Sequence, residues 1–226
     1  VSRVAVVTGA NRGIGFAVAR ALAARGDTVV LGSRDIERGR AAAARITGRV
    51  LPRALDVTGD PRGLVAELAD EVGRVDVLVN NAAIHYDTGQ RPSTADLEIV
   101  EEAWRTNALG AWACTQAFLP LLRRARSARV VMVSSEGGSL AGMGASTPAY
   151  AVTKAALNAI TRSFAADLAG EGILVNAVCP GWVATDMGGP GGGPVESGAA
   201  SVLWAADLPD NGPTGGFFRH GEPLPW

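Results

Sequence analysis

Residues 4–15 read VAVVTGANRGIG. Four apolar, mostly β-branched residues suit a buried strand, and Gly9, Gly13 and Gly15 follow where an amphipathic stretch begins. In a parallel sheet, phosphates bind at such a junction. Backbone N–H groups at the helix N-terminus face the anion, and glycine lets it approach. The spacing is G-x-x-x-G-x-G rather than the commoner G-x-G-x-x-G. A tight strand-to-helix turn would use the same residues, so context has to decide.

The rest of the chain repeats the alternation. TVVLG (28–32), VLPRAL (50–55), VDVLVN (75–80), RVVMVS (129–134), ILVNAV (173–178) and GGFF (215–218) read as further strands. Helical stretches are predicted over 13–25, 35–47, 59–72, 95–125, 148–169 and 195–206. Strands this apolar imply a sheet covered on both faces. The expected fold is therefore α/β, a Rossmann-type doubly wound parallel sheet of about seven strands, forming one domain over 1–226. A chain of 226 residues, 47% hydrophobic, can bury such a core. Only GGPGGGP (188–194) is of low complexity, and it reads as a flexible loop.

Composition narrows the function. A net charge of −1 without a basic block points to neither nucleic acid nor a membrane surface as partner. Cys114 and Cys179 lie far apart in apolar contexts, which suits neither a disulfide framework nor a metal cluster. No metal is expected, and a reduced, cytoplasmic setting is the simpler reading. The chain opens on a strand pattern without a leader's charged and apolar regions, and no window approaches a membrane span.

A dinucleotide ligand would be distinguished at the end of the second strand, where the chain reads LGSRDIERGR (31–40). If Ser33 holds the ribose-contacting position, no carboxylate is there to grip a 2′-hydroxyl or repel a 2′-phosphate. Arg34 follows, Arg38 lies a turn later, and Arg12 sits in the glycine loop; guanidiniums suit a phosphate dianion. NADP(H) is expected over NAD(H). The competing reading makes Asp35 the ribose ligand, although its position suits a helix N-cap.

The chemistry points to STPAYAVTKAAL (146–157). Thr147 and Pro148 look like an N-cap and first helical residue, and Tyr150 and Lys154 fall four apart on one face. A tyrosine is a poor acid or base at neutral pH, and a nearby ammonium lowers its pKa. An isolated Y-x-x-x-K reads as a surface pair. Here, however, Lys154 is the only lysine among 21 Lys and Arg, and Tyr150 is one of two tyrosines. Ser134 and Ser135 end a strand at the carboxyl edge, where sites in such sheets assemble.

These motifs, with NNAA (80–83), TN (106–107) and PGWVATDM (180–187), resemble the short-chain dehydrogenase/reductase family along essentially the whole chain. Within it the chain is most similar to the NADPH-dependent carbonyl reductases. The resemblance implies Tyr150 as general acid/base, with Lys154 lowering its pKa and holding the nicotinamide ribose. Ser135 would orient the carbonyl (Ser134 being the alternative), and Asn107 would support Lys154 through a water. It further implies cofactor contacts from Gly9, Asn11, Arg12, Gly13, Ile14 and Gly15, from Asp56 and Val57 at the adenine, and from Asn80 and Ala82. Pro180, Gly181, Val183 and Thr185 would meet the carboxamide. The substrate is expected to be a small-molecule carbonyl or alcohol, with Tyr86 and Trp182 near the mouth. His85 is not needed as a base.

Three departures stand out. NNAA replaces the family's N-N-A-G, the interval from Ser135 to Tyr150 is a little long, and the segment after Thr185 is short and glycine-rich. The last predicts an open site that tolerates bulky substrates. In this family the helices corresponding to 95–125 and 148–169 commonly pair across two-fold axes, so a homodimer or homotetramer is expected.

Overall fold

The structure, a computed structural model, describes residues 2–226. Its elements follow the alternation read above: β1 (Val4–Val7), α1 (Gly13–Ala24), β2 (Thr28–Ser33), α2 (Ile36–Ala43), β3 (Val50–Ala54), α3 (Arg62–Glu71) and β4 (Val77–Asn80). The second half holds α4 (Leu97–Ala103), α5 (Ala111–Leu122), β5 (Ala128–Val133), α6 (Pro148–Asp167), β6 (Ile173–Val178), α7 (Val195–Ala206), β7 (Phe217–Arg219) and β8 (Glu222–Pro223). One sheet contains all the strands in the order 3-2-1-4-5-6-7-8. The pairings from β3 through β7 are parallel. The expected count of about seven is one short: β8 folds back antiparallel on β7. Two residues are too few to leave a periodic signal.

Alternating strand residues feed two cores. Val4, Val6 and Val30 pack with Leu68, Phe118, Leu157 and Phe164, under α3, α5 and α6. Ala5, Val7, Val29 and Leu31 face the other way, onto Val18, Leu22, Ala42 and Val202 of α1, α2 and α7. This two-sided burial is why the strands lack a polar face. No helix among the described residues is long and apolar enough to cross a membrane.

The helix expected over 95–125 is interrupted. Between α4 and α5, Trp104–Gly110 winds as a π-helical turn. Gly110 lets this segment lie directly on Val57, since a Cβ there would come within 2.8 Å of the Val57 side chain. An extra residue per turn is invisible to a 3.6-residue pattern.

Candidate active site

The strand order reverses between β1 and β4, and a cavity of about 400 Å³ opens beyond their carboxyl ends. Switch points in open α/β sheets create such crevices. The glycine loop forms one wall. Gly9 and Gly13 adopt positive φ (63° and 56°), a region that L side chains rarely enter. A Cβ on Gly15 would lie 2.5 Å from Asn81 Nδ2 and 2.8 Å from the Gly9 carbonyl, so only glycine fits where α1 closes on this loop. Asn81 donates from Nδ2 to the carbonyls of Thr8 and Gly9 at 2.8 and 3.2 Å, bracing the loop from β4. A glycine cradle opening a helix, above a cavity of this size, suits a dinucleotide pyrophosphate.

Of the expected cofactor residues, Gly9, Asn11, Arg12, Gly13 and Ile14 line this cavity, as do Arg34, Asp56, Val57, Ala82, Pro180 and Thr185. Tyr150 and Lys154 complete the set. Others lie elsewhere. The Asn80 side chain is buried away from the cavity, donating to Thr115 Oγ1 at 3.0 Å, because inward and outward residues alternate and Asn81 takes the outward place. Ser33 is buried and donates to the Asp35 carbonyl at 2.7 Å. Asp35 caps α2, accepting from the amides of Glu37 and Arg38 at 2.9 and 3.2 Å. Arg38 turns back on it, with an ion pair at 3.3 Å. Arg12 reaches across the cavity mouth to Asp186 at 2.6 Å.

A second cavity, about 250 Å³, adjoins the first and is lined by Tyr86, Ser135, Cys179, Trp182 and Arg219. Gly181 and Val183, expected at the cofactor, line this one instead. Tyr150 lines both cavities. Its phenol faces the Ser135 hydroxyl, whose oxygen accepts from the Gly137 amide at 3.1 Å. Ser134 is committed elsewhere, donating to Asn158 Oδ1 at 2.6 Å in the core behind. Lys154 Nζ sits 5.4 Å from the Tyr150 ring centroid and donates to the Val133 carbonyl at 2.7 Å.

The electrostatics differ from the simplest expectation. Burial pushes the Tyr150 phenol well above its ordinary value, partly offset by the nearby Ser135 hydroxyl. Burial also pulls Lys154 down to about 8. Desolvation therefore dominates at Tyr150. Neither cysteine is bonded to the other. Burial raises the Cys114 thiol to about 12, whereas Cys179 Sγ accepts from the Glu136 and Gly181 amides and from Arg219.

Asn107 lies on the π turn. Its amide bonds Ile84 through both main-chain groups (2.8 and 3.0 Å) and donates to Thr153 Oγ1 at 3.1 Å, making no direct bond to Lys154. The loop at 182–194 is more ordered than its composition suggests. Bridges join Val183 to Gly193 and Thr185 to Gly189, and the Trp182 indole donates to the Gly188 carbonyl at 2.8 Å. Trp182 is nevertheless 64% exposed, leaving the second cavity open on that side. Asn81 and Asp87 were missed by sequence reading. Only the doubled asparagine hinted at the first, and nothing local marked the second.

The chain is similar to several known proteins. The profile of the short chain dehydrogenase family matches residues 3–191. Carbonyl reductase [NADPH] 1 of Sus scrofa is 36% identical over all of this chain and 94% of its own. Salutaridine reductase of Papaver bracteatum is 32% identical, covering 97% of this chain and 95% of its own. Among solved structures, the NADPH-bound carbonyl reductase from chicken fatty liver superposes with a TM-score of 0.86 at 27% identity, over 100% of this chain and 99% of that one.

Proposed function

This chain belongs to the short chain dehydrogenase family, and from that premise we propose that it reduces aldehydes, ketones or quinones to alcohols with NADPH, using Tyr150 as general acid. The observation that carries the reading is the position of Tyr150 at the junction of the two cavities. A nicotinamide cofactor held by the residues of the larger cavity would supply the hydride for the carbonyl carbon of a substrate in the smaller. Ser135 donates to the carbonyl oxygen, where negative charge develops as the π pair of the C=O bond moves onto it. Tyr150 gives its phenolic proton to that oxygen, completing the alcohol. A phenol kept protonated by burial is the form this direction requires. Lys154 lies against the Tyr150 ring, placed to hold the ribose and to favour the phenolate left after transfer. A water beside Asn107 would carry the replacement proton, while the Asn107 amide holds Ile84.

The cofactor reading rests on the end of β2. With Ser33 buried and Asp35 committed to capping α2, no carboxylate there is free to take a ribose diol. Arg34 stands exposed on the cavity wall, and Arg12, also on that wall, pairs with Asp186; both guanidiniums suit a 2′-phosphate. The substrate reading rests on the smaller cavity. Tyr86 and Trp182 provide aromatic walls and the short loop leaves it open, which favours bulky, ring-bearing carbonyls with little selectivity.

Nicotinamide absorbance followed with NADPH and then NADH, against quinones, aldehydes and keto esters, tests both readings. NADPH is expected to win in kcat/KM by about tenfold or more, the scale of one or two charge-assisted bonds. A preference for NADH would overturn the cofactor reading and return Asp35 as ribose ligand. Binding of both cofactors without consumption of either would overturn the reductase reading.

A further inference from the structure

Helix α6 carries Tyr150 on its first turn, yet its own flanking residues leave that end uncapped. Pro148 has no N–H to cap. Thr147 takes a left-handed conformation (φ 49°, ψ 55°), and its side chain makes no capping bond. The next two amides, those of Ala149 and of Tyr150 itself, donate instead to the two carboxylate oxygens of Asp87, at 3.0 and 3.1 Å. Asp87 arrives from the loop after β4, 62 residues before Ala149. Its neighbour Tyr86 sets its ring edge-on to that of Tyr150, with centroids 5.1 Å apart. Earlier in the same loop, Ile84 is tied to Asn107. The segment 84–87 is thus anchored to the π turn at one end and to the main chain of Tyr150 at the other.

We propose that Asp87 is a positioning residue for the reduction, placing the Tyr150 phenol against Ser135 and against the Tyr86 wall of the substrate cavity. The inference rests on Tyr150 acting as general acid, as argued above. A carboxylate spanning two consecutive amides fixes both the height and the rotation of the first helical turn. The phenol oxygen lies at the far end of a rigid side chain, so a small rotation of that turn displaces it further than the main chain moves. Proton transfer tolerates little such displacement. A local cap at residue 147 would hold the helix equally well but would leave the loop bearing Tyr86 unattached to it.

Asp87→Asn keeps one acceptor oxygen and Asp87→Ala keeps none. With NADPH and a carbonyl that the wild type turns over, kcat is expected to fall about tenfold in Asp87→Ala and less in Asp87→Asn. KM for the carbonyl should rise by less than about threefold, and the NADPH dissociation constant should stay within about twofold. A lowered Tm with kcat intact overturns the proposal, as does a kcat loss matched by an equal loss of NADPH affinity. If Asp87→Ala does not fold, Asp87→Asn decides on the same criteria.

A second readout does not depend on turnover. The chain has two tyrosines, so ring-¹³C-tyrosine gives two assignable sets of signals, with Tyr150→Phe as the assignment control. Both sets are expected to move in Asp87→Asn without substrate. If they move while the wild type reduces no carbonyl, the reductase reading fails and the positioning stands. An unmoved Tyr150 signal overturns the positioning.

Discussion

Lys154 is held at 2% exposure, with the Val133 carbonyl accepting from its ammonium and no carboxylate among the described residues paired with it. Its folded-state pKa, pulled down to about 8 by burial, lies below the ordinary lysine value of 10.5. Between those two values the unfolded chain binds more protons than the folded one, so this group makes stability rise with pH across that window. Below about pH 8 the folded chain bears the full cost of the buried charge. Lys154→Met removes the titration. The Tm of the wild type relative to this variant, measured without cofactor, is expected to climb from pH 8 to pH 10; a flat difference would contradict the assignment. This buried titration suits the one lysine in a chain that otherwise uses arginine. A guanidinium has no comparable neutral form and could not shed its charge when buried in this way.

At the scale of elements, the turn Glu136–Gly138 decides where Ser135 stands relative to α6. A Cβ on Gly138 would lie 2.5 Å from the Lys154 carbonyl carbon and 2.7 Å from the Ala155 nitrogen, main-chain atoms that cannot swing aside. Gly138→Ala is expected to cost about 1–3 kcal/mol in denaturant unfolding, as overpacking does, and to lower kcat by moving Ser135 off Tyr150. Unchanged values of both would show that the turn has room the geometry denies. This contact was not legible: EGG at 136–138 looks like any loop, and the close approach involves residues far away in sequence. The strands were legible because burial on both faces leaves unbroken apolar runs. Tyr150 and Lys154 were legible because their relation is local, one helical turn. The Asp87 cap, the choice of Asn81 over Asn80 at the glycine loop and the π turn around Asn107 all depend on long-range contacts, which periodicity does not carry. Thr147 shows the same limit, since an N-cap residue type was present while its backbone conformation went elsewhere.

For the molecule as a whole, several large apolar side chains face outward. Leu97, Trp104, Leu109 and Trp112 lie along α4, the π turn and α5, and Val152 on α6 is 48% exposed. These are the helices on which pairing between copies was expected, and exposed apolar groups concentrated there favour it. Sedimentation is expected to give a species larger than the 23.1 kDa chain, and Val152→Glu is expected to shift it toward the monomer. A monomer at micromolar concentration in the wild type would contradict the pairing. The open second cavity belongs to the same scale. Trp182 and Met187 line it and stand exposed, on a short loop, so a carbonyl panel is expected to show broad turnover, and turnover confined to one compound would contradict an open site.

The most direct test of the account is Tyr150→Phe, assayed for carbonyl-dependent NADPH oxidation and, separately, for NADPH binding by fluorescence. Loss of the phenolic proton should lower kcat by about a thousandfold, within the range for a general acid, with NADPH affinity changed no more than about threefold. Turnover close to the wild-type rate, with the cofactor still bound, would contradict the placement of proton transfer at Tyr150.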